Sequence, residues 1–553
     1  MSNPTVLEGW QLALLILACL IVFIALVIIS VTLWAKHSYF KMLRSDRSNC
    51  KIDDFVNNAM ESNKVSFTKV VMGTKLTLGG RKPNTTTPID LEVFDSPHVP
   101  GLKVTRKLNS TTDDSDATPL KDLLNEKKNK TKPPIVVATI RMGFGHHRLA
   151  YSTCSWALQK YKDRVTIFHD LINIQPTEEA DLIKNTDSLY SKFSRWASEI
   201  GGPVERLWGS AMLSGDADAL RMAAFTAVHL QPLLLAFPKD TILITSHQLV
   251  ALTASVIGFT NVINLVVDNH PQWFLTVPNT LNVVQGPVNY QSFLKMGVVD
   301  ETDKQELEWL GHWCPAQMVD NIDADCQRRI RRHENRIKIS SGGDMKPLRL
   351  LIPVGGAGAQ RKFIIAFVKA VASQVKEGKI QLFLNAGDHV HMKTAFLQVL
   401  DECGVDFETI DSTNGVVNFQ ERLLKNENNE PTKAVTLFAF DEYFPAVATT
   451  DILCRVTDVL CCKPSELAFY CVPKLHIRRV GDHEADSAKR ASELNDGTIE
   501  AREISDSMQF LSLFLKTPLL KKMNTAIMNN NKIGLYDGCK NAVEMAVERS
   551  KSK

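Results

Sequence analysis

The chain has 553 residues, 44% of them hydrophobic and 23% charged, with a formal net charge of +3. That length holds roughly two or three folding units, the composition is that of an ordinary globular protein, and the near-balanced charge excludes a dedicated nucleic-acid binder, which concentrates a basic excess. The 11 cysteines are an odd number with no framework spacing, which points to reduced thiols and away from a disulfide scaffold.

The N-terminus stands apart. From Leu12 to Ala35 no residue is charged, and most are Leu, Ile, Val, Ala or Phe. As a helix this run spans roughly 36 Å, enough for a bilayer core. Trp10 and Trp34 stand where interfacial aromatics belong. A cleaved signal peptide asks for a basic start and an apolar run of about 7–15 residues, whereas the first ten residues here hold Glu8 and no Lys or Arg. Residues 1–35 are therefore expected to be an uncleaved, single-pass anchor. Lys36, Lys41, Arg44, Arg47 and Lys51 follow it, so the positive-inside rule puts the N-terminus outside and the large C-terminal part in the cytoplasm. Sequons begin at Asn84, Asn109 and Asn129; such short patterns arise by chance, and a cytoplasmic location leaves them unused.

Residues 36–132 read as a partly disordered tether, with a Thr-, Asp-, Asn- and Lys-rich linker from Leu108 to Lys132. Folded grammar begins at Pro133. Ile135–Ile140, Arg164–Phe168, Thr241–Thr245, Val262–Val267 and Leu281–Val284 are short apolar runs of the kind buried parallel strands require. Helical stretches such as Leu149–Tyr161 and Leu249–Ile257 lie between them. This predicts an open α/β domain over 133–318. Residues 319–346 follow as an interdomain segment, where Arg328, Arg329, Arg331, Arg332 and Arg336 form either a solvated helix or a patch for an anion. A second α/β domain is expected over 347–504. Its strands are Leu348–Val354, Ile380–Leu384, Val435–Phe440, Ile452–Arg455 and Lys474–Ile477, with a helix over Arg361–Val375 and a helical tail over 505–553. Two such domains in tandem enclose a cleft, and ligands of open α/β sheets bind at the carboxyl ends of the strands.

Four segments stand at those ends. Arg141-Met-Gly-Phe-Gly-His-His-Arg148 follows the first strand. Gly143 and Gly145 allow close backbone approach to a ligand, and a helix N-terminus keeps His146 a neutral base; a structural turn with an incidental histidine fits the same residues. Asp268-Asn-His-Pro-Gln-Trp-Phe274 follows the strand over 262–267. It suits a catalytic cleft, or a loop whose Trp273 and Phe274 pack inward. Gly355-Gly356-Ala357-Gly358 offers amides to a phosphate, or is a plain strand-to-helix turn. Lys463–Pro473 carries Glu466, placed to accept both hydroxyls of a ribose or else a surface acid, and Gly481–Ala488 carries His483 and Glu484 where a sugar or diphosphate would lie. No metal-ligand spacing is present, and vicinal Cys461-Cys462 reads as packing.

Taken in order, these segments resemble one family: the monogalactosyldiacylglycerol synthases, processive diacylglycerol glucosyltransferases and MurG-type peptidoglycan transferases. Gly143-Phe-Gly-His146 looks like that family's glycine-rich loop ending in His. Asp268-Asn-His270-Pro-Gln-Trp273-Phe274 is similar to the Asp and His-Pro-x-Trp-Phe of its lipid-glycosylating branch, and is the most specific match. Asp451, Ser465-Glu466, Cys471-Val-Pro473 and Asp482-His-Glu-Ala-Asp-Ser-Ala488 look like pieces of its donor half. Gly286-Pro287 and Gly311-His-Trp-Cys-Pro315 fall where the family ends its acceptor domain. The resemblance spans residues 133–500. Phe144 replaces the middle glycine of the loop, Arg141 and Met142 stand where the lipid branch has Asp-Thr, and Glu484 and Ser487 replace Gln and Asn.

The resemblance implies a GT-B-like α/β fold of two Rossmann-like domains. It also implies an inverting glycosyltransferase that moves a sugar from a nucleotide sugar, expected to be a UDP-sugar, to a membrane lipid acceptor such as diacylglycerol. His146 or Asp268 would be the base. Gly143, Gly145, His270 and Trp273 would line the acceptor side, and Gly355, Gly356, Gly358, Glu466, His483 and Glu484 the donor side. Amides and helix dipoles would replace a metal, and no cofactor beyond the co-substrate is expected. A nucleotide-sugar epimerase or hydrolase of the same fold, and a non-catalytic membrane scaffold, are the alternatives.

Overall fold

The computed structural model describes residues 9–62, 86–108, 117–125, 132–171, 217–299, 306–338, 346–356, 358–426 and 429–551, with scattered positions between 174 and 204. The three sequon asparagines and most of the linker over 108–132 lie outside the described residues.

Two sheets organise the chain. The first contains β1 (Leu91–Asp95), β2 (Leu102–Lys107), β3 (Thr118–Pro119), β4 (Ile135–Thr139), β5 (Thr166–Asp170), β6 (Ile242–Thr245), β7 (Val262–Leu265), β8 (Leu281–Val284) and β9 (Leu307–Trp309), in the order β3-β1-β2-β5-β4-β6-β7-β8-β9. Pairing is parallel from β2 to β9, and β1 runs antiparallel to β2 and β3. The second contains β10 (Leu348–Pro353), β11 (Ile380–Gly387), β12 (Phe407–Ile410), β13 (Val435–Ala439), β14 (Val459–Cys462) and β15 (Lys474–His476), in the order β12-β13-β11-β10-β14-β15, all parallel. Helices cover both faces of each sheet, so β4, β6, β10 and β14 are buried along their whole length, as their mostly apolar sequences require.

These are two Rossmann-like α/β domains facing a cleft. In each, a central strand has its sequence successor on one side and a later strand on the other: β4 lies between β5 and β6, and β10 between β11 and β14. The loops that leave β4 and β10 therefore stand at topological switch points, where a crevice opens beyond the strand ends.

Three expectations give way. The stretch over 36–132 is more than a tether. β1 and β2 extend the first sheet, and helix Ile52–Ser62 sinks Ile52, Val56 and Ala59 into the same core as Leu91 and Val93. Short peripheral strands with alternating polar residues, such as Leu102-Lys-Val-Thr-Arg-Lys107, carry a weak signal beside a polar linker. Ile452–Arg455 is the end of helix Tyr443–Cys454, and the strand is β14 just beyond it; so short an apolar run does not separate strand from helix by periodicity. Four of the five arginines of helix Ile322–Lys338 form neither a solvated face nor an anion patch, and Arg331 alone is exposed. Arg328, Arg329, Arg332 and Arg336 are buried. Arg329 donates to the Thr457 carbonyl at 2.7 Å and the Cys454 carbonyl at 2.8 Å, meeting backbone oxygens at the end of helix Tyr443–Cys454. Arg336 reaches Asp458 at 2.9 Å and Arg332 reaches it at 3.5 Å. Burial raises the Asp458 carboxyl, but Arg332, Arg336 and Arg349 outweigh it and hold it down to about 2. Its contribution to stability is thus present above the ordinary carboxylate range and lost as pH falls towards 2.

The last helix, Gly538–Lys551, returns to the first domain and packs on helix Gly145–Lys160 and β6. Asn261 donates to its Ala546 carbonyl at 3.0 Å. At the other end of the chain, Gly9–Leu43 is one continuous helix, the one helix among the described residues long and apolar enough to cross a membrane. Its residues from Leu12 to Trp34 are largely exposed, whereas Tyr39, Phe40, Met42 and Leu43 are buried against the first domain. Tyr39 donates to the Thr276 carbonyl at 2.6 Å, and its ring meets Trp273 edge-on at 5.6 Å.

Candidate functional site

The two switch-point loops meet. A cavity of about 140 Å³ lies between them, lined from the first domain by Met142–His146, Val267 and Asp268, and from the second by Gly355, Gly356, Ala359, Gln360, Lys463, Ser465, Glu466, Val480 and Glu484.

His146 sits in the first turn of helix Gly145–Lys160. Its Nδ1 lies 2.5 Å from the Ser246 carbonyl oxygen, while the Ser246 hydroxyl donates to the His146 carbonyl at 2.7 Å and pairs with Thr139 Oγ1 at 2.8 Å. A carbonyl only accepts, so Nδ1 carries the proton and Nε2 keeps its lone pair. Burial pushes the His146 pKa below its ordinary value, against the Ser246 carbonyl and the charge of Asp268, which pull it up. The ring is thus a neutral base of fixed tautomer at neutral pH. His247 lies tilted beside it with ring centroids 4.3 Å apart and accepts a hydrogen bond from the Leu249 amide on its own Nδ1 at 3.2 Å, capping the next helix.

On the facing side, Gly356 explains why the two loops come so close. A Cβ there would lie 2.2 Å from the Phe144 nitrogen and 2.4 Å from the Gly143 Cα. Only glycine permits that backbone contact, which spans the cleft. Gly143 itself takes a left-handed φ of +71°, and its carbonyl accepts from the Tyr443 hydroxyl of the second domain at 3.0 Å. Phe144, where the resembled family has glycine, is a buried knob in the second domain. It lies against Gly387, with ring centroids 5.5 Å from both His389 and Tyr443. Burying a side chain of this size stabilises the contact by about 1.5–3 kcal/mol.

Arg148 carries the same contact further. Its side chain is almost wholly buried and forms an ion pair with Glu466 of the second domain, with Thr450 Oγ1 at 3.3 Å and Asp451 at 3.9 Å. Burial raises the Glu466 carboxyl, but Arg148, Lys463 and hydrogen bonds from Ser465 and its own amide hold it below the usual range. Burial pushes Asp451 up to about 6 despite Arg148 and a 2.7 Å hydrogen bond donated by Tyr470. Glu466, expected to accept both hydroxyls of a ribose, is thus a carboxylate already shared with Arg148. Oε1 belongs to Arg148, and Oε2, which a Cβ on Gly145 would approach to 3.2 Å, is the oxygen left on the cavity side. Glu466→Gln keeps an acceptor for Arg148 while removing the charge. A hydrogen bond to a charged group contributes about 1.5–3 kcal/mol, so this variant should raise the dissociation constant for a nucleoside diphosphate by roughly tenfold; it should also lower the melting temperature, because Arg148 stays buried without its counter-charge. Titration calorimetry reads the first and a thermal scan the second.

The other sequence-derived candidates divide. His146, Asp268, Gly143, Gly145, Gly355, Gly356, Glu466 and Glu484 converge on the cavity. Glu484 does so already neutralised: it pairs with Lys463 and accepts the Val480 amide at 2.8 Å. Gly358 lies off the cavity, and its amide is spent on the Gly355 carbonyl at 2.8 Å. His270 turns across the cleft to Asp486 at 2.5 Å. Trp273 is buried under the base of the apolar helix and is a packing residue. His483 falls in a single 3₁₀ turn, Asp482–Glu484, and its side chain lies outside what is described. Arg148, Lys463, Ser246 and His247 join the site without a role expected from the sequence, and Phe144, expected only as a replacement in the loop, joins it as a packing residue. Of these, only Lys463, a lone base two residues before Ser465-Glu466, carried a usable signal. Among the described residues no group of His, Cys, Asp and Glu could hold a metal.

Residues 96–295 match a family model described as a domain of unknown function, DUF6937, and residues 302–547 match a second so described, DUF6938. No curated protein sequence matches the chain. Solved structures with a similar chain path include the spinosyn rhamnosyltransferase SpnG (12% identity, TM-score 0.37, 76% of this chain and 100% of that one). Another is an α,α-trehalose-phosphate synthase (UDP-forming) from Burkholderia vietnamiensis (9%, 0.38, 76% and 100%). A third is a trehalose-6-phosphate protein from E. coli bound with UDP-2-fluoro glucose (11%, 0.37, 76% and 99%). The likeness concerns chain path at low similarity, and the functional reading below rests on this chain's own residues.

Proposed function

We propose that this chain is a membrane-anchored glycosyltransferase that moves a sugar, with inversion, from a nucleotide sugar to a hydroxyl of a membrane lipid. One observation carries the reading: a neutral histidine of fixed tautomer and an aspartate from one Rossmann-like domain face a glycine loop, a lysine and a buried glutamate from the other. His146 Nε2 takes the acceptor proton, the freed oxygen attacks the anomeric carbon, and the bond from that carbon to the diphosphate oxygen breaks. Asp268 favours the imidazolium that forms. Lys463 and the helix N-terminus after Gly355-Gly356 stabilise the leaving diphosphate, and Glu466 Oε2 takes a ribose hydroxyl. The nucleotide sugar is the co-substrate, and a resident cofactor has no part in these steps.

The lipid acceptor and the cytoplasmic placement rest on the exposed apolar helix and the basic residues that follow it. Protease added to sealed, right-side-out vesicles should leave the large domains intact; their digestion from outside would reverse the topology and separate the site from a cytoplasmic sugar donor.

A non-catalytic scaffold is the second reading, and the filled cleft favours it. Pockets that enclose whole small ligands are typically about 300–1,000 Å³, against about 140 Å³ here. Catalysis therefore requires the domains to part at Phe144 and Arg148. Incubating the detergent-solubilised full chain with labelled nucleotide sugars and total membrane lipid separates the readings. Label in lipid supports the transferase, an altered free sugar supports an epimerase or hydrolase, and no turnover supports the scaffold.

A further inference from the structure

A second cavity, of about 880 Å³, opens at the foot of the apolar helix, far larger than the one in the cleft. Its walls are the C-terminal turns of helix Gly9–Leu43, helix Ile52–Ser62 and Leu220. It straddles the level at which the uncharged run ends. Val31, Trp34 and Ala35 line it from the apolar side, whereas Lys41 and Lys51 line it from the polar side, with Asp54 the sole acid among its lining residues. Neither Lys41 nor Lys51 has an ion-pair partner among the described residues, and both are exposed. The wall is rigid, because Tyr39 and Phe40 between the two sets are pinned on Trp273, and Tyr39 also packs on Phe55.

We propose that this cavity binds a single anionic phospholipid, with its acyl chains along Val31–Ala35 and its phosphate between Lys41 and Lys51. The amphiphilic lining at a membrane–water boundary matches an amphiphile, and the unpaired lysines match an anion. A short apolar peptide would leave the lysines unanswered, and a soluble anion would leave the apolar wall wet. The inference rests on the membrane-anchored reading but not on glycosyl transfer. The pinned Trp273 stands five residues from Asp268 in the same loop, so an occupied cavity braces the loop that carries Asp268.

The test uses the full chain, reconstituted in nanodiscs of phosphatidylcholine with a minor share of phosphatidylserine, re-extracted in mild detergent and washed, with bound lipid read by mass spectrometry. The wild type should retain phosphatidylserine stoichiometrically and in preference to phosphatidylcholine. Lys41→Glu/Lys51→Glu, two exposed positions whose reversal spares the core, should lose most of it. Ala35→Trp, which obstructs the apolar side of the cavity and leaves both lysines, should lose it as well. Lys36→Glu, outside the lining, should retain it. Equal retention by the wild type and both cavity variants, or no selectivity for the anionic lipid, would overturn the proposal. So would cross-links showing residues 63–85 of this chain seated in the cavity.

Discussion

His146→Ala should cut turnover by about 100- to 10,000-fold, the usual contribution of a general base, while leaving nucleotide affinity nearly constant. The separation follows from position. His146 belongs to the first domain and is tied to Ser246 of that domain, whereas Glu466 and Lys463, which would hold the nucleotide, belong to the second. The pH profile should carry the same residue. Because burial lowers the His146 pKa, the base stays neutral down through the ordinary histidine value of about 6.5. The acid limb of turnover should therefore fall below that value, and it should vanish in His146→Ala. His147 is no neutral control despite its adjacency. It is fully buried 3.1 Å from Asp170, with Phe168 and Tyr443 edge-on to its ring, so its loss disturbs the core. A His146→Ala protein with wild-type turnover and an unchanged acid limb would move the chemistry away from this loop.

Arg148→Ala should destabilise the protein by about 3–5 kcal/mol, the cost of leaving one partner of a buried ion pair unmatched. Arg148 is 1% exposed and Glu466 8%, so water cannot rescue the stranded carboxylate. The effect should extend beyond stability, because this pair joins the two domains directly beneath the cavity. Replacing both partners by apolar residues of similar volume, Arg148→Met with Glu466→Leu, should recover most of the lost stability, since desolvation then falls on neither group. It should do so without restoring nucleotide binding. Denaturant unfolding of the four proteins of the cycle measures the coupling. Additive effects would mean that the pair carries no link between the domains.

How much of this was legible in the sequence depended on where the signal came from. The central strands were readable because burial on both faces demands mostly apolar runs, as in Ile135-Val-Val-Ala-Thr139 and in Leu348–Pro353, where Arg349 is the one charged residue. The peripheral strands β1, β2 and β9 were hidden because each is short and mixes polar with apolar residues, which dilutes the pattern. In the site, the strand-end loops with glycine and histidine pointed to the cavity. What no local pattern could supply was the pairing across it. Arg148 reads as an ordinary helical cation until Glu466, 318 residues away, is placed opposite. Phe144 reads as a loop aromatic until Gly387 opens a socket for it. Trp273 erred in the other direction: its motif suggested substrate, and the foot of the apolar helix claimed it instead.

The central claim is that the cleft between the two sheets is a nucleotide site opened by parting Phe144 and Arg148 from the second domain. Calorimetric titration of UDP into the detergent-solubilised full chain tests it most directly. The account predicts saturable binding to one site per chain, weakened roughly tenfold by Glu466→Gln. A well-folded wild-type chain that gives no binding heat with UDP or any other nucleoside diphosphate, at several temperatures, would contradict it.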